Sequence, residues 1–159
     1  MKKLSPVLIM IVSALIFLLS VTPCEAQSDL EKEAIKSVIE QETASFMNLD
    51  YKTWSSLWLK VPYAYWSYSD STGTSYIEGW DNLNSTYSDY FKNSKPSKGE
   101  ITNEWIEIRV FENGAYAYFV QKVYDEIDRD ETSQIRVLEK KDGKWKLICV
   151  GAIAKYPPH

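Results

Sequence analysis

Hydrophobic residues recur at helical spacing from about residue 29 to residue 48. Ser28 and Glu31 form a capping box where this pattern begins, because the serine hydroxyl can accept a hydrogen bond from the first turn and the glutamate can reach back to it. The pattern therefore predicts a first helix over about 29–48. Its hydrophobic positions are Ile35, Val38, Ile39, Phe46 and Leu49.

Two further helices are predicted before the middle of the chain. Asp50 is placed to cap a short helix that ends before Pro62, and Gly79 precedes a third helix. Between them, residues 63–68 form an aromatic stretch that favours an extended strand. Residues 70–75 are rich in Ser and Thr around a glycine, which is typical of a turn or loop.

From Glu100 onward the hydrophobic period changes from about 3.6 residues to 2 residues. Asn113-Gly114 and Asp142-Gly143 are hairpin-turn signals between runs of strand-forming residues. The pattern predicts four long antiparallel strands that follow three helices. The predicted class is α+β, with a curved sheet that wraps the helices.

The first turn, if it contains two residues, predicts the register of its hairpin. Ile108 then faces Phe119 and Ile106 faces Gln121, so that Ile106 and Ile108 share one face while Trp105 points to the other.

The second turn likewise pairs Leu138 with Leu147 and Arg136 with Cys149 on one face. The turns do not say which face is inward. One face of each hairpin is almost wholly apolar, and it could belong to the core or to a subunit interface. In the second hairpin the apolar face carries Val137, Ile148, Ile135 and Val150.

Composition narrows the class of protein. The chain has 159 residues, of which 45% are hydrophobic and 25% charged, and this is the composition of one globular domain. A net charge of -4 argues against a nucleic-acid partner, since binding to phosphates needs clustered Lys and Arg. Aromatic residues make up 14% of the chain, an excess that suggests a cavity or an interface.

The N-terminal residues are predicted to be an export signal. Two lysines precede an apolar run over residues 7–21, which is shorter than the roughly 20 residues that a membrane-spanning helix needs. Cleavage after Ala26 would make 1–26 a signal peptide and 27–159 a single exported domain, periplasmic or secreted and without a transmembrane span. In the alternative, Cys24 is lipidated and anchors the protein.

Glu42 is the most informative residue of the sequence. On a helical wheel it lies between Val38 and Phe46, in the middle of the apolar stripe. A buried carboxylate must be paired or protonated, and burial raises its pKa. Glu42 is therefore either a pocket acid, paired with the inward-looking Arg136, or a residue that reaches solvent or forms a structural salt bridge.

Four aromatic residues could form the wall of a ligand pocket, although aromatic residues at this spacing are more often part of a plain core. They are Trp54, Trp58, Tyr63 and Tyr65.

Several kinds of chemistry are excluded by the residues present. His159 is the only histidine and lies at the terminus, which removes Ser-His-Asp and Cys-His catalysis and a histidine-built metal site. Cys149 is interpreted as a buried strand residue. The acidic run over residues 125–131 lacks the glycine and the spacing of a calcium loop. We predict no catalytic constellation, no metal and no cofactor.

Several short stretches follow one another in a characteristic order over about 30–155. In order and spacing they resemble the nuclear transport factor 2-like superfamily, which includes ketosteroid isomerase-like and polyketide cyclase-like members. Within it they are most similar to the association domain of calcium/calmodulin-dependent protein kinase II. The stretches are Asn48-Leu49-Asp50-Tyr51-Lys52-Thr53-Trp54, Glu78-Gly79-Trp80-Asp81, Asn93-Ser94-Lys95-Pro96, Ala117-Tyr118, Arg136-Val137-Leu138 and Asp142-Gly143-Lys144-Trp145.

The resemblance implies a cone-shaped domain with a deep pocket between the first helices and the concave sheet. In the kinase association domain an aromatic residue and several arginines line this pocket and hold an acidic ligand. Trp54 matches the aromatic position and Arg136 matches one arginine, whereas Val120 and approximately Ala152 replace the others. The resemblance also implies a homodimer or higher homo-oligomer.

Three functions remain open on this basis. We favour an exported, non-catalytic domain that binds a small, partly apolar molecule, acidic or aromatic in character. The first alternative is an enzyme of the ketosteroid isomerase-like type, in which Glu42 shuttles a proton and Tyr63 or Tyr65 polarises a carbonyl. The second is a homo-oligomeric assembly module.

Overall fold

The computed structural model describes residues 23–124 and 129–155. Of the described residues, those from 32 onward belong to one compact unit and residues 23–31 to another. Three helices are present in the described residues: α1 (Pro23–Met47), α2 (Tyr51–Leu57) and α3 (Trp80–Asn93). The six strands are β1 (Tyr65–Asp70), β2 (Gly73–Glu78), β3 (Glu100–Val110), β4 (Gly114–Tyr124), β5 (Arg129–Lys141) and β6 (Lys144–Ala154). Most of the predicted signal segment lies outside the described residues.

The helices form where the hydrophobic pattern predicts them. α1 extends over Pro23–Met47, so Ser28 lies inside the helix rather than at the capping position predicted for it. Asp50 caps α2 as predicted, and its Oδ1 accepts a hydrogen bond of 3.0 Å from the Thr53 N–H. None of the helices in the described residues is long and apolar enough to cross a membrane.

The six strands form one curved sheet on which the three helices pack, and this confirms the predicted α+β class. The strand order is β2-β1-β6-β5-β4-β3, with β1 and β6 parallel and the other pairs antiparallel. The turn predicted within residues 70–75 is present, but it is tight, because the chain reverses directly after Asp70. Strand β2, which begins at Gly73, was not predicted, and it pairs with β1 as an exposed edge strand.

The first hairpin departs from the predicted register. Phe111 N–H donates a 2.7 Å hydrogen bond to the Gly114 carbonyl, so the turn centres one residue earlier than Asn113-Gly114, and Ile108 faces Ala117. A β-bulge between Trp105 and Glu107 then changes the alternation. Trp105 consequently joins the inward face with Ile108, whereas Ile106 is 52% exposed.

The register of the second hairpin agrees with the prediction from the turn to Leu138, and it differs beyond a β-bulge next to that residue. Asp142 and Gly143 both have positive φ, as the predicted two-residue turn requires, and Leu138 faces Leu147. The register then shifts between Val137 and Leu138, so that Arg136 faces Val150 rather than Cys149.

The two faces of the second hairpin are therefore not those predicted. Val150 belongs to the inward face and is buried against the core, while Val137 and Cys149 lie on the outer face. The inward face, with its one arginine, packs against the helices.

The core lies between α1, α2, α3 and the inner face of the sheet. Trp54 is at its centre, with its ring 5.2 Å from Tyr87 and 5.3 Å from Phe91, both of α3. Ile35 and Ile39 of α1 and Phe119 of β4 are fully buried. Burial of each such side chain contributes roughly 1.5–3 kcal/mol, so this core accounts for much of the stability of a chain with no disulfide in its described part.

Candidate functional site

A cavity of about 210 Å³ lies between α1 and the inner face of the sheet. α1 contributes the side chains at positions 42, 43, 46 and 47, and strands β1, β4, β5 and β6 contribute the others. For comparison, a cavity of roughly 150 Å³ takes up a benzene molecule. The remaining residues of the lining are Trp66, Tyr68, Gln121, Val123, Asp130, Thr132, Gln134, Arg136, Val150 and Ala152.

Glu42 and Arg136 meet in this cavity. Oε2 of Glu42 lies 3.7 Å from Nη2 of Arg136, and the two residues are only 6% and 4% exposed. The other carboxylate oxygen, Oε1, accepts a hydrogen bond of 3.0 Å from the Trp54 indole N–H. The 3.7 Å contact is an ion pair without a hydrogen bond, since it exceeds the distance of 2.7–3.2 Å that such a bond needs.

Burial shifts the pKa of both groups. Loss of water around Glu42 raises the pKa of its carboxyl, and the nearby Arg136 and the Trp54 hydrogen bond offset this only in part. Burial also lowers the pKa of Arg136, against the attraction of Glu42. Both pKa shifts indicate that the attraction between Glu42 and Arg136 does not fully compensate for the loss of hydration of either charge.

The guanidinium of Arg136 retains unused donor capacity. Nη1 donates to Gln134 Oε1 at 2.5 Å, and the cationic carbon lies 5.5 Å from the centre of the Phe119 ring. Nε is buried and has no hydrogen-bond partner in the part of the chain that the structure describes. A buried donor without an acceptor costs about 1–3 kcal/mol, so this side of the cavity favours a molecule that brings an acceptor.

A row of polar side chains extends from Arg136 along β5. Gln134 Nε2 donates to Thr132 Oγ1 at 2.6 Å. On the neighbouring strand β4, Gln121 pairs with Thr132, and its Nε2 donates to Thr43 Oγ1 of α1 at 3.3 Å. Sequence analysis missed this row. Its signal was present, because three polar residues alternate on the strand that the hairpin turn places beside the core.

The part of the lining next to this polar row is apolar. Val150 and Ala152 of β6 pair with Arg136 and Gln134 of β5. Trp66 of β1 lies beside Val150 on the same face of the sheet, while α1 contributes Phe46. The cavity thus offers one charged and hydrogen-bonding side and one hydrocarbon side, which suits a small amphipathic molecule.

Comparison with known proteins rests on structure, since no protein-family model and no curated protein matches the sequence. An NTF2-like protein of unknown function from Shewanella oneidensis is 14% identical, with a TM-score of 0.63 over 77% of this chain and 98% of that one. The calcium/calmodulin-dependent protein kinase II association domain of C. elegans is 18% identical, with a TM-score of 0.61 over 78% and 95%. A candidate ketosteroid isomerase from Parabacteroides distasonis is 20% identical, with a TM-score of 0.60 over 77% and 86%.

The chain has the nuclear transport factor 2-like fold. The resemblance seen in the sequence motifs is thereby confirmed at the level of the fold.

In this NTF2-like fold, only two of the predicted site residues line the cavity. Glu42 and Arg136 line it, and Trp54 stands behind Glu42, held by the indole hydrogen bond. Trp58 is buried in the core, 5.9 Å from Trp54 between ring centres, and does not line this cavity.

Tyr63 and Tyr65 lie elsewhere in the NTF2-like domain. Tyr63 is exposed and its hydroxyl donates to Glu139 at 3.1 Å. Tyr65 pairs with Cys149 of β6, on the outer face of the sheet, and its ring stacks on Tyr76. Alternation along β1 therefore directs Trp66, rather than Tyr65, toward the cavity.

A metal centre is not formed in the described part of the NTF2-like domain, where no group of three or more His, Cys, Asp or Glu side chains could hold an ion. The acidic run over residues 125–131 falls partly outside the described residues, and so does His159. Cys149 is half-buried on the outer face, and burial raises the pKa of its thiol.

Proposed function

We propose that this domain binds a small, partly apolar molecule with one acidic group. The observation that carries the proposal is the environment of Arg136, which is almost fully buried and lines the cavity. Its Nε has no hydrogen-bond partner among the described residues, and Glu42, held by the Trp54 indole, is too distant from Nη2 for a hydrogen bond. An acid oxygen beside Nε and Nη2 would complete the fork of donors that a carboxylate fits. The apolar side of the cavity, formed by Trp66, Val150 and Ala152, would receive the hydrocarbon part of the ligand.

Size limits the ligand further. A cavity of about 210 Å³ holds about one ring or a short chain, and it is smaller than the roughly 300–1,000 Å³ of sites for larger ligands. Benzoate is a suitable probe, because it combines one ring with one carboxylate. Benzamide has nearly the same shape without the charge.

Benzoate is expected to bind more tightly than benzamide, since only benzoate can pair with the guanidinium. Arg136→Lys should weaken benzoate binding by about 10-fold or more, because lysine keeps the charge but not the planar fork. Isothermal titration calorimetry measures both differences in affinity, that between benzoate and benzamide and that between the wild type and Arg136→Lys. The matched control is Arg109→Lys, a change at an exposed arginine of β3 that pairs with Glu107.

Two results would count against a binding function. One is an Arg136→Lys protein that binds benzoate as the wild type does. The other is a wild-type protein that binds neither benzoate nor a short aliphatic carboxylate at millimolar concentration.

Catalysis is less well supported than binding. The ketosteroid isomerase-like alternative needs a tyrosine within hydrogen-bond reach of the substrate carbonyl beside Glu42. Neither Tyr63 nor Tyr65, the residues considered for that role, lines the cavity, and the tyrosine among its described lining residues is Tyr68 of β1. We favour a binding domain, because the pair of Glu42 with Tyr63 or Tyr65 is not assembled at the cavity. We also propose that the domain acts outside the cytoplasm, as the lysines and the apolar run before residue 22 suggest.

Self-association is a second candidate role, favoured by the outer face of the sheet. Ile135 and Ile153 project from neighbouring strands β5 and β6 and are 44% and 55% exposed. Tyr65 and Tyr76 form a stacked pair on the same face. An apolar patch of this kind is typical of a protein interface, and one structural neighbour is itself an association domain.

The double change Ile135→Lys, Ile153→Lys is expected to convert a dimer into monomers, because two charges per subunit would lose their water at the interface. Sedimentation velocity at micromolar concentration measures the change. Ile106→Lys, at an equally exposed isoleucine of β3, should leave the dimer intact. A wild-type protein that sediments as a monomer would contradict the proposal.

A further inference from the structure

Glu42 occupies the position at which a ligand carboxylate would meet Arg136. Its Oε2 faces Nη2 at 3.7 Å, while Oε1 is held at 3.0 Å by the Trp54 indole N–H. The Trp54 ring is buried among aromatic residues of α2 and α3, so Glu42 has little freedom to turn away. A bound carboxylate and Glu42 would therefore share one guanidinium.

Two carboxylates beside one buried cation leave one negative charge without compensation. Such a charge is costly at this position, where Glu42 and Arg136 are both buried, and closely spaced carboxylates avoid it by sharing a proton. The proton must come from solvent, and it must go to a group that is not yet protonated.

The groups that face Glu42 from the neighbouring elements identify the acceptor. Arg136 of β5 already carries its proton. Burial raises the pKa of the Tyr87 hydroxyl on α3, so this group is already protonated at neutral pH. The Cys149 thiol lies on the outer face of the sheet, and burial raises its pKa as well. Asp130, the second carboxylate among the described lining residues, is exposed at the mouth of the cavity.

We propose that a carboxylic acid enters this cavity together with one proton, which Glu42 takes up as the ligand carboxylate pairs with Arg136. This inference rests on the proposed function. One O–H bond forms on Oε2 of Glu42, the ion pair between Glu42 and Arg136 is replaced by one between the ligand and Arg136, and no electron is transferred. The protonated Glu42 can then donate a hydrogen bond to the ligand carboxylate.

The number of protons taken up per ligand tests the proposal. Benzoate is titrated calorimetrically into the wild-type protein, in buffers of different ionisation enthalpy, from about pH 5 to pH 8, where a free carboxylic acid is ionised. We expect an uptake that approaches one proton, with affinity that falls about tenfold per pH unit over the range where Glu42 is ionised in the free protein. Benzamide should bind without proton uptake.

Glu42→Gln keeps the shape of the side chain and an oxygen for the Trp54 hydrogen bond, but it cannot take up a proton. In this variant the uptake should disappear and the affinity for benzoate should no longer depend on pH. Glu40→Gln, at an exposed position of the same helix, should retain the wild-type uptake.

The outcomes separate the two proposals. Benzoate binding without proton uptake at any pH, or undiminished uptake in Glu42→Gln, overturns the proton-coupled mechanism alone. Failure of both benzoate and a short aliphatic carboxylate to bind at millimolar concentration overturns the proposed function. If Glu42→Gln does not fold, the wild-type comparison of benzoate with benzamide decides the question by itself.

Discussion

Replacing Arg136 with Met is expected to lower the free energy of unfolding by about 3–5 kcal/mol, because the buried Glu42 would lose its only nearby cation among the described residues. The double variant Glu42→Gln, Arg136→Met should be more stable than Arg136→Met, since it leaves no buried charge uncompensated. Denaturant unfolding of the four proteins, without ligand, measures this double-mutant cycle.

The cost of Arg136→Met should depend on pH, with a sign that follows from the raised pKa of Glu42. A carboxyl group whose pKa is higher in the folded state stabilises the folded protein fully when the pH is below its unfolded-state pKa, near 4.5. This stabilisation is lost as the pH rises through the folded-state pKa. Loss of Arg136 raises that folded pKa further. The destabilisation should therefore be largest near pH 8 and should shrink toward about pH 5.

A matched arginine provides the control for this cycle. Arg109→Met, which breaks an exposed ion pair with Glu107 on β3, should change the free energy of unfolding by less than about 0.5 kcal/mol. Single effects of Glu42→Gln and Arg136→Met that simply add, each within about 0.5 kcal/mol of zero, would show that the two residues do not interact.

Ile108→Lys is expected to destabilise the domain by on the order of 3–5 kcal/mol, whereas Ile106→Lys should change its stability by no more than about 0.5 kcal/mol. The two isoleucines are two positions apart, so a regular strand would place both on one face. The bulge between Trp105 and Glu107 separates them: Ile108 is 8% exposed and packs in the core, and Ile106 is 52% exposed.

Urea unfolding followed by tryptophan fluorescence compares the two variants directly. The substitution is the same in both, so differences in the unfolded state largely cancel. Equal destabilisation by the two lysines would mean that the strand continues without a bulge and that Trp105 does not face the core.

Local patterns were sufficient for the helices and for the class of fold. The inward position of Glu42 follows from helical geometry alone, because a residue between Val38 and Phe46 on the wheel must share their direction. The cap at Asp50 and the turn at Asp142-Gly143 were also predictable, since each depends on residues only a few positions apart.

The pairing of Glu42 with Arg136 was predictable in outline, and its surroundings were not. Two inward charges in one small domain are driven to meet, because an isolated buried charge is too costly. Trp66, Gln134 and Thr132 complete the lining, but they come from strands whose relative positions depend on contacts remote in sequence.

The sequence by itself determined the three helices and the four long strands, the apolar stripe of α1 and the turn of the last hairpin, because each depends on interactions within a few residues. Only the tertiary structure decided the faces of the long strands. One bulge turns Trp105 inward and another brings Val150, rather than Cys149, opposite Arg136. A single extra residue reverses every later side chain of a strand, and whether it is accommodated depends on how the whole sheet packs against the helices.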